Sequence, residues 1–130
     1  MANETLEQRR AAAAMAFVKR HETNEEQRAK LHTLLQKAPV LILQNGLGQT
    51  LAFLLADAKG KGAERNAPGL LYDRLQQWLC REQAIYPEED GLMHQLINGD
   101  RRHYLRAQEE ALALLGWMRK FAEAWLKEEK

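Results

Sequence analysis

The sequence predicts an all-α fold: a single-domain bundle of about six helices over residues 1–130, with a long C-terminal helix. No segment alternates apolar and polar residues over the length of a strand, whereas apolar residues recur at helical spacing along most of the chain. The apolar stretch Pro39–Lys59 is interrupted by a Gly-x-Gly motif at Gly46 and Gly48. An interruption of this kind is typical of two buried helices that meet at a tight corner.

The first predicted helix runs from Thr5 to His21 and has two distinct faces. Thr5 and Gln8 fit a capping box, in which each side chain accepts a hydrogen bond from the other's backbone N–H. At about 100° per residue, one face is apolar and the other is basic with small residues between the charges. The apolar face carries Leu6, Ala13, Ala14, Phe17, Val18 and His21, and the basic face carries Arg9, Ala12, Ala16, Lys19 and Arg20.

The apolar centre of the chain predicts three further helices. One begins at Thr23 or Asn24 and reaches Lys37. Pro39 fits the first turn of a short helix that ends at Asn45-Gly46, because proline suits a first helical turn and glycine a helix end. The next helix follows from Leu47 or Gly48 to Ala58.

The second half of the chain predicts two loops and three helices. Residues 59–69 form a glycine-rich, basic segment that we expect to be mobile, and residues 85–91 form a second loop. Helices are expected over Leu70–Arg81 and Leu92–Ile97. Asp100 then caps a final helix that reaches about Leu126, in which Gly116 should have a packing reason. The core stripe of this helix comprises Tyr104, Ala107, Ala111, Leu114, Leu115, Met118, Phe121, Ala122 and Trp125.

Composition limits the function classes. Lys and Arg number 19 against 18 Asp and Glu, so any nucleic-acid site must come from local clustering rather than from overall charge. The single cysteine, Cys80, cannot form an intrachain disulfide, which favours a reducing compartment. The N-terminal segment does not fit a signal peptide, and no run approaches the roughly 20 apolar residues of a membrane helix. We therefore expect a cytoplasmic protein without membrane contact.

No catalytic, cofactor or metal constellation stands out. The Gly46–Thr50 turn lacks the preceding strand and the Lys-Ser/Thr ending of a phosphate loop, so a helix cap is the favoured interpretation. The four histidines lack the i, i+4 spacing of a helical zinc site, and His21 falls on an apolar face. The chain contains no serine, which rules out a Ser-His-Asp triad. We expect a protein that is not an enzyme and needs no cofactor.

Three local basic clusters are the candidate binding surfaces. The first surrounds the start of the last helix, with Arg102 and Arg106 one turn apart on its polar face. The second comprises Arg9, Lys19 and Arg20, and the third comprises Lys59, Lys61 and Arg65 in the basic loop. Helical bases of this kind fit sequence-independent phosphate contact. The alternative is a solvated face with Arg106 paired to Glu110 and Arg102 to Gln108 or Glu109; spacing alone leaves both open.

One aromatic residue lies away from the core stripe. Trp117 falls beside Arg106 and Ala113 on the last helix. An aromatic side chain at a helix edge suggests a contact with another protein. It could equally cover the loop before the Leu70–Arg81 helix.

Several segments together resemble a known family. The run Pro39-Val40-Leu41-Ile42 followed by Asn45-Gly46-Leu47-Gly48-Gln49-Thr50-Leu51-Ala52-Phe53-Leu54 resembles the signature of the small, all-helical subunit of the type III-B CRISPR effector, the Cmr complex. The Leu71–Leu79 segment with Trp78, the Leu92–Asp100 segment followed by Tyr104, and the Trp117-x-x-x-Phe121-Ala122 ending are also similar and occur in the same order. The resemblance covers nearly the whole chain except the Lys59–Gly69 loop.

The resemblance implies a non-catalytic subunit of an antiviral ribonucleoprotein. In that family, copies stack along a filament, touch the large polymerase-like subunit and line the groove that holds the guide and target RNA. The expected partners are therefore other Cmr subunits, neighbouring copies of the chain and RNA. The family does not fix RNA-contacting residues by a motif. From charge placement we predict contact by Arg9, Lys19, Arg20, Arg102 and Arg106, with a protein–protein adaptor without RNA contact as the alternative.

Overall fold

A computed structural model describes residues 4–127, and this part of the chain is helical without strands. The all-α class is thus confirmed, although the described residues form five α-helices rather than about six. These are α1 (Leu6–Arg20), α2 (Arg28–Asp57), α3 (Ala67–Gln76), α4 (Leu92–Asn98) and α5 (Arg101–Trp125). A 3₁₀ turn at Gly62–Glu64 precedes α3, and a π-helical turn at Gln77–Glu82 continues it.

The helix count differs because α2 passes through Pro39 without a break. The prediction of a new helix at Pro39 is wrong: this proline lies inside the first half of α2, residues 28–45. Pro39 has no N–H, so the helix lacks one backbone hydrogen bond there, and the neighbouring side chains of Ala38 and Ile42 are buried in the core. The break falls at Gly46, whose φ of 88° and ψ of 163° are non-helical. The predicted corner is therefore present as a kink within α2.

Two predicted helix starts are displaced. The α2 helix begins at Arg28 rather than at Thr23 or Asn24, although a turn stabilised by a hydrogen bond from the Gln27 N–H to the Asn24 side chain (3.2 Å) precedes it. The α3 helix begins at Ala67 rather than at Leu70. Asn66 caps it by accepting a hydrogen bond from the Gly69 N–H at 3.2 Å, with Pro68 in the first turn.

Helix α5 is the central element, and its predicted cap is confirmed. The Asp100 carboxylate accepts a hydrogen bond from the His103 N–H at 2.9 Å. At the other end, the Arg28 guanidinium donates to the carbonyls of Trp125 and Leu126, where cationic donors stabilise exposed helix carbonyls. The predicted packing reason for Gly116 is wrong, because a Cβ added there would meet nothing within 4 Å.

The neighbours of α5 run in opposite directions along it. Helix α1 is parallel, since Arg10 meets Glu110 and Lys19 lies over Trp125. The first half of α2 is antiparallel, since His32 contacts Glu123 near its start. From those pairings the Gly46 corner, the start of α1 and the start of α5 share one end of the bundle.

The core follows the predicted apolar stripes. On α1 the buried residues are Ala14, Phe17, Val18 and His21, and on α5 they include Ala107, Ala111, Leu114, Leu115, Met118 and Ala122. Tyr104, Phe121 and Trp125 are partly buried against this core. Trp117 is also partly buried, and its ring lies 5.7 Å from that of Phe121.

Helix α2 also exposes apolar side chains. Leu43 is 72% exposed and Val40 is 50% exposed. By length and composition α2 could cross a membrane, against the expectation that no segment would. This is weak support for a span, because Gly46 interrupts the helix and its other face is packed in the core.

The basic loop is held by hydrogen bonds at both ends. The Asn66 amide oxygen accepts from the Lys59 N–H (2.9 Å), and its amide nitrogen donates to the Asp57 carbonyl (2.7 Å). The Arg65 guanidinium donates to the Asp73 carboxylate and to the Gly60 carbonyl. These contacts fasten the loop between α2 and α3.

Candidate nucleic-acid interface

The start of α5 presents two exposed arginines, Arg102 and Arg106. The pairings that would make this face an ordinary solvated surface do not form: no salt bridge between described residues 4–127 involves either side chain. The Gln108 side chain instead accepts the Leu47 N–H at 2.9 Å, and Glu110 is held by other residues. Two guanidinium groups one turn apart thus face solvent without a carboxylate partner.

Glu110 is a buried carboxylate that joins three helices. Its oxygens accept hydrogen bonds from the Arg10 guanidinium at 2.7 and 2.8 Å and from the Trp78 indole N–H at 3.0 Å. Burial acts to raise the pKa of Glu110, but the hydrogen bonds from Arg10 and Trp78 outweigh it and hold that pKa below its usual value. The hydrogen bond to Glu110 raises the pKa of Arg10. Arg106 forms no salt bridge with Glu110 among residues 4–127, although its nearby charge also helps to lower the pKa of Glu110.

The parallel packing of α1 on α5 divides the predicted site residues into two groups. Arg9 is exposed on α1, next to the Arg10–Glu110 contact, and so lies toward the same end of the bundle as Arg102 and Arg106. Lys19 and Arg20 lie ten or more residues further along α1, or about 15 Å at ~1.5 Å per residue. The five predicted residues therefore do not form one compact patch.

The two residues at the end of α1 have different surroundings. The Lys19 ammonium lies 4.1 Å from the centre of the Trp125 ring and 3.8 Å from a Glu22 oxygen. Arg20 is exposed at the edge of a cleft and takes part in no salt bridge among the described residues. Of this pair, Arg20 is the better placed to meet an external anion.

In the third basic cluster, a carboxylate of the same chain occupies the guanidinium group. Arg65 donates to both oxygens of Asp73, at 3.0 and 3.2 Å. Lys59 and Lys61 remain exposed. Within residues 4–127 the ammonium groups of Lys59 and Lys61 form no salt bridge, whereas the Arg65 guanidinium holds the loop.

The Gly-x-Gly corner has its donors occupied by α5. The Leu47 N–H is bonded to Gln108, and the Gly48 N–H donates to the Tyr104 hydroxyl at 2.9 Å. A phosphate would need these same N–H groups, which are the free donors of a restarting helix. The corner is thus a helix–helix contact, as its sequence favoured.

Titratable clusters elsewhere do not form a metal site in residues 4–127. His21 has its ring packed edge-to-face on Phe17, with the ring centres 5.0 Å apart. Burial, followed by the charge of Arg20, lowers the pKa of His21, so the ring is neutral at neutral pH. Cys80 is buried, and burial raises the pKa of its thiol, which disfavours the reactive thiolate.

Sequence reasoning missed Arg10, and the pairing of Glu110 with Arg106 that it left open as an alternative does not form as a salt bridge among residues 4–127. The available signal was position: Glu110 falls between Ala107 and Leu114 on the core stripe, and Arg10 lies one turn before Ala14 on the apolar face of α1. Charged residues on facing apolar stripes are seldom buried unless they pair. The spacing could have marked both residues as needing a buried partner, although it does not show that they pair with each other.

The fold and surface define a class of protein: a small helical subunit whose basic surface is open and whose described residues hold no metal cluster. A family model described as "CRISPR-associated protein (Cas_Cmr5)" matches residues 6–125. The chain belongs to this family of CRISPR-associated proteins, and is a small subunit of the type III-B Cmr complex. The resemblance found in the sequence is thereby confirmed.

Two comparisons with proteins of Thermus thermophilus support the assignment. The "CRISPR system Cmr subunit Cmr5" of Thermus thermophilus is 34% identical over 103 residues, which cover 79% of this chain and 81% of that protein. The crystal structure of a CRISPR-associated Cmr5 family protein, also from Thermus thermophilus, has a TM-score of 0.71 at 30% identity. That similarity covers 95% of this chain and 99% of the other.

Proposed function

We propose that this subunit braces guide and target RNA by sequence-independent phosphate contacts within the antiviral ribonucleoprotein. The observation that carries the proposal is the pair of exposed guanidinium groups of Arg102 and Arg106, which have no carboxylate partner in residues 4–127. Guanidinium groups bind phosphate strongly, and an A-form duplex is recognised mainly through its shape, phosphates and 2′-hydroxyls. Arg9 and Arg20 extend the contact, and Lys19 contributes after leaving Trp125.

The proposal also covers the partners of the subunit. Membership of the family gives other Cmr subunits as partners. We further propose that neighbouring copies of the chain stack in a filament, that one copy meets the large polymerase-like subunit, and that assembly occurs in the cytoplasm. A rigid bundle with RNA-binding groups on α1 and α5 leaves α2 free for protein contacts.

We also propose that the subunit is not an enzyme. Cys80 is buried with a raised pKa, which makes it a poor nucleophile. The histidines that contact carboxylates do so in exposed pairs, as His103 does with Asp100 at 2.6 Å. The isolated protein should therefore show no turnover of RNA or nucleotides.

A protein–protein adaptor is the second candidate, and one observation favours it. Residues 38–56 carry no charged side chain, yet Val40, Leu43 and Phe53 are substantially exposed. Exposed apolar groups on a helix are suited to another protein rather than to phosphates. In this alternative α2 makes the essential contacts and the arginines only aid solubility.

A salt series separates the two candidates. RNA binding by the purified protein would be measured for single-stranded RNA and for a guide–target duplex, with wild type and the Arg102→Glu/Arg106→Glu variant. Each phosphate contact that is lost lowers the slope of log affinity against log salt by about 0.7 to 0.9. We expect the double variant to lose nearly all binding and most of the salt dependence.

A charge-matched control makes the result specific. Lys30→Glu/Lys37→Glu changes the net charge by the same amount on the exposed side of α2. It should retain most of the RNA affinity. Equal loss in both double variants would indicate a response to net charge alone, and absence of binding at low salt would favour the adaptor.

A further inference from the structure

A cleft between α1 and α3 is separate from the Arg102–Arg106 surface. Its volume is about 480 Å³, which falls within the ~300–1,000 Å³ of small-molecule sites. Phe17 and His21 line it from α1, Leu70 and Arg74 from α3, and Gln77 from the π-helical turn. The cleft thus has an apolar wall with polar groups around it.

The charges around the cleft leave one positive charge uncompensated. Arg74 donates to Glu82, and Arg65 donates to Asp73, so these two guanidinium groups are neutralised by carboxylates. Arg20, which also lines the cleft, takes part in no salt bridge among residues 4–127. The cleft is therefore suited to a ligand with a single negative charge.

Two further features distinguish the cleft from an ordinary surface groove. The His21 ring is only 9% exposed and has no hydrogen-bond partner within residues 4–127, although it lies on the cleft wall. Gln77 is the first residue of a π-helical turn, and such turns occur frequently at functional sites. Both residues can exchange hydrogen bonds with a polar ring edge.

We propose that this cleft receives one nucleotide unit of the bound RNA, with its phosphodiester on Arg20 and its base between the Phe17–Leu70 wall and Gln77. The inference rests on the proposed function, since it names a subsite for the same RNA. A phosphodiester carries one negative charge, whereas a free nucleoside monophosphate carries about −1.5 to −2 at neutral pH. The single uncompensated arginine therefore favours a nucleotide within a strand over a free nucleotide.

Photocrosslinking in the assembled ribonucleoprotein tests the proposal. Target and guide RNAs that carry 4-thiouridine at successive positions would be bound, irradiated and mapped to peptides of this chain. We expect crosslinks to residues 17–24 or 70–77 from a subset of nucleotide positions. Ala63→Trp, at an exposed position on the cleft, should abolish these crosslinks, and Ala52→Trp on the exposed side of α2 should preserve them.

The possible outcomes separate this subsite from the proposed function. Crosslinks confined to residues 101–109 would overturn the cleft subsite and leave the phosphate-binding role intact. No crosslink to any part of this chain would overturn the cleft subsite alone, because phosphate contacts do not place a base against the protein; the proposed function is overturned separately, by absence of RNA binding in the salt series. Selective loss of the cleft crosslinks in Arg20→Gln, with about a tenfold loss in their yield, would support the phosphate contact.

A second experiment tests whether the cleft binds a free nucleotide rather than a nucleotide of the RNA. Titration of the isolated full-length chain with adenosine or uridine 5′-monophosphate, and with inorganic phosphate, would be followed by NMR at the His21 ring and the Gln77 amide. We expect neither to saturate these signals at millimolar concentration. Saturation by the monophosphates without cleft crosslinks from RNA would overturn the RNA subsite in favour of a free nucleotide.

Discussion

Helices α1 and α2 both pack along α5, but different groups hold them there. The contact of α1 centres on a buried charged cluster of Arg10, Glu110 and Trp78. The contact of α2 at its corner uses neutral groups, in which Gln108 and Tyr104 accept the N–H groups that follow Gly46. The difference shows that one helix can position its neighbours both by charge and by close backbone approach.

The two contacts should respond differently to mutation because their failures differ. In the ion pair Glu110 is buried and Arg10 is partly buried, so loss of the carboxylate removes the two shortest hydrogen bonds of Arg10 and leaves it only the longer contact with the exposed Glu7. A neutral contact that loses one hydrogen bond leaves only an unpaired N–H, which is a smaller cost. Four variants and a pH series test this contrast.

The largest loss is expected for Glu110→Gln. This change keeps the side-chain shape but removes the charge that holds Arg10, and should lower the free energy of unfolding by about 3 kcal/mol. Urea unfolding measures it without screening the charges. Glu109→Gln is the matched control, since Glu109 is the exposed neighbour and its change should stay within about 0.5 kcal/mol. Equal stability of the two variants would contradict the charged contact.

The stability difference between wild type and the Glu110→Gln variant should depend on pH. The pKa of Glu110 is lower in the folded protein than its ordinary value of about 4.3. The stability that this carboxylate supplies is therefore present above that value and is lost as pH falls through the lowered pKa. The stability difference between wild type and Glu110→Gln should shrink in acid. His21, whose pKa is also lowered by burial, titrates in both proteins and cancels from the difference.

The sequence predicted the neutral contact better than the charged one. Gly46 and Gly48 lie close together in the chain, and a glycine after an apolar helical run favours a sharp change of direction. The signal for the corner is therefore local in the sequence. The partners Arg10 and Glu110 are 100 residues apart. Their pairing depends on the parallel packing of α1 on α5, and helical spacing within either segment does not give that direction.

The candidate nucleic-acid interface was likewise predicted from the sequence only in part. The exposure of Arg102 and Arg106 follows from their spacing relative to the core stripe of α5, which the sequence predicted. Their lack of partners depends on Glu110 and Gln108 being used elsewhere, which only the tertiary structure reveals. The cleft beside Arg20 also arises only when α1, the basic loop and α3 come together.

Gly46→Ala should produce the next largest loss. The backbone at Gly46 has a φ of 88° and a ψ of 163°, a region that is essentially restricted to glycine, and an added Cβ would lie 3.1 Å from the Tyr104 hydroxyl. We expect a decrease of about 2 kcal/mol in the free energy of unfolding, which thermal or urea denaturation measures.

Substitution of a second glycine should change the stability in the opposite direction. Gly116 lies within α5, where an added Cβ meets nothing within 4 Å. Gly116→Ala should therefore raise stability by about 0.5–1 kcal/mol through the helix propensity of alanine. If both substitutions destabilised the protein equally, the special role of the Gly46 corner would be wrong.

The smallest of the expected losses in stability distinguishes the two contacts most directly. Tyr104→Phe removes the hydroxyl that accepts the Gly48 N–H and should cost about 1 kcal/mol. Tyr86→Phe is its control, because the buried Tyr86 hydroxyl has no hydrogen-bond partner in residues 4–127, and its removal should be neutral or slightly stabilising. The cost of Tyr104→Phe should persist in acid, since no carboxylate takes part in this hydrogen bond. Because the cost of Glu110→Gln should shrink under the same conditions, a parallel pH dependence in the two variants would mean that the corner and the charged cluster act as one unit.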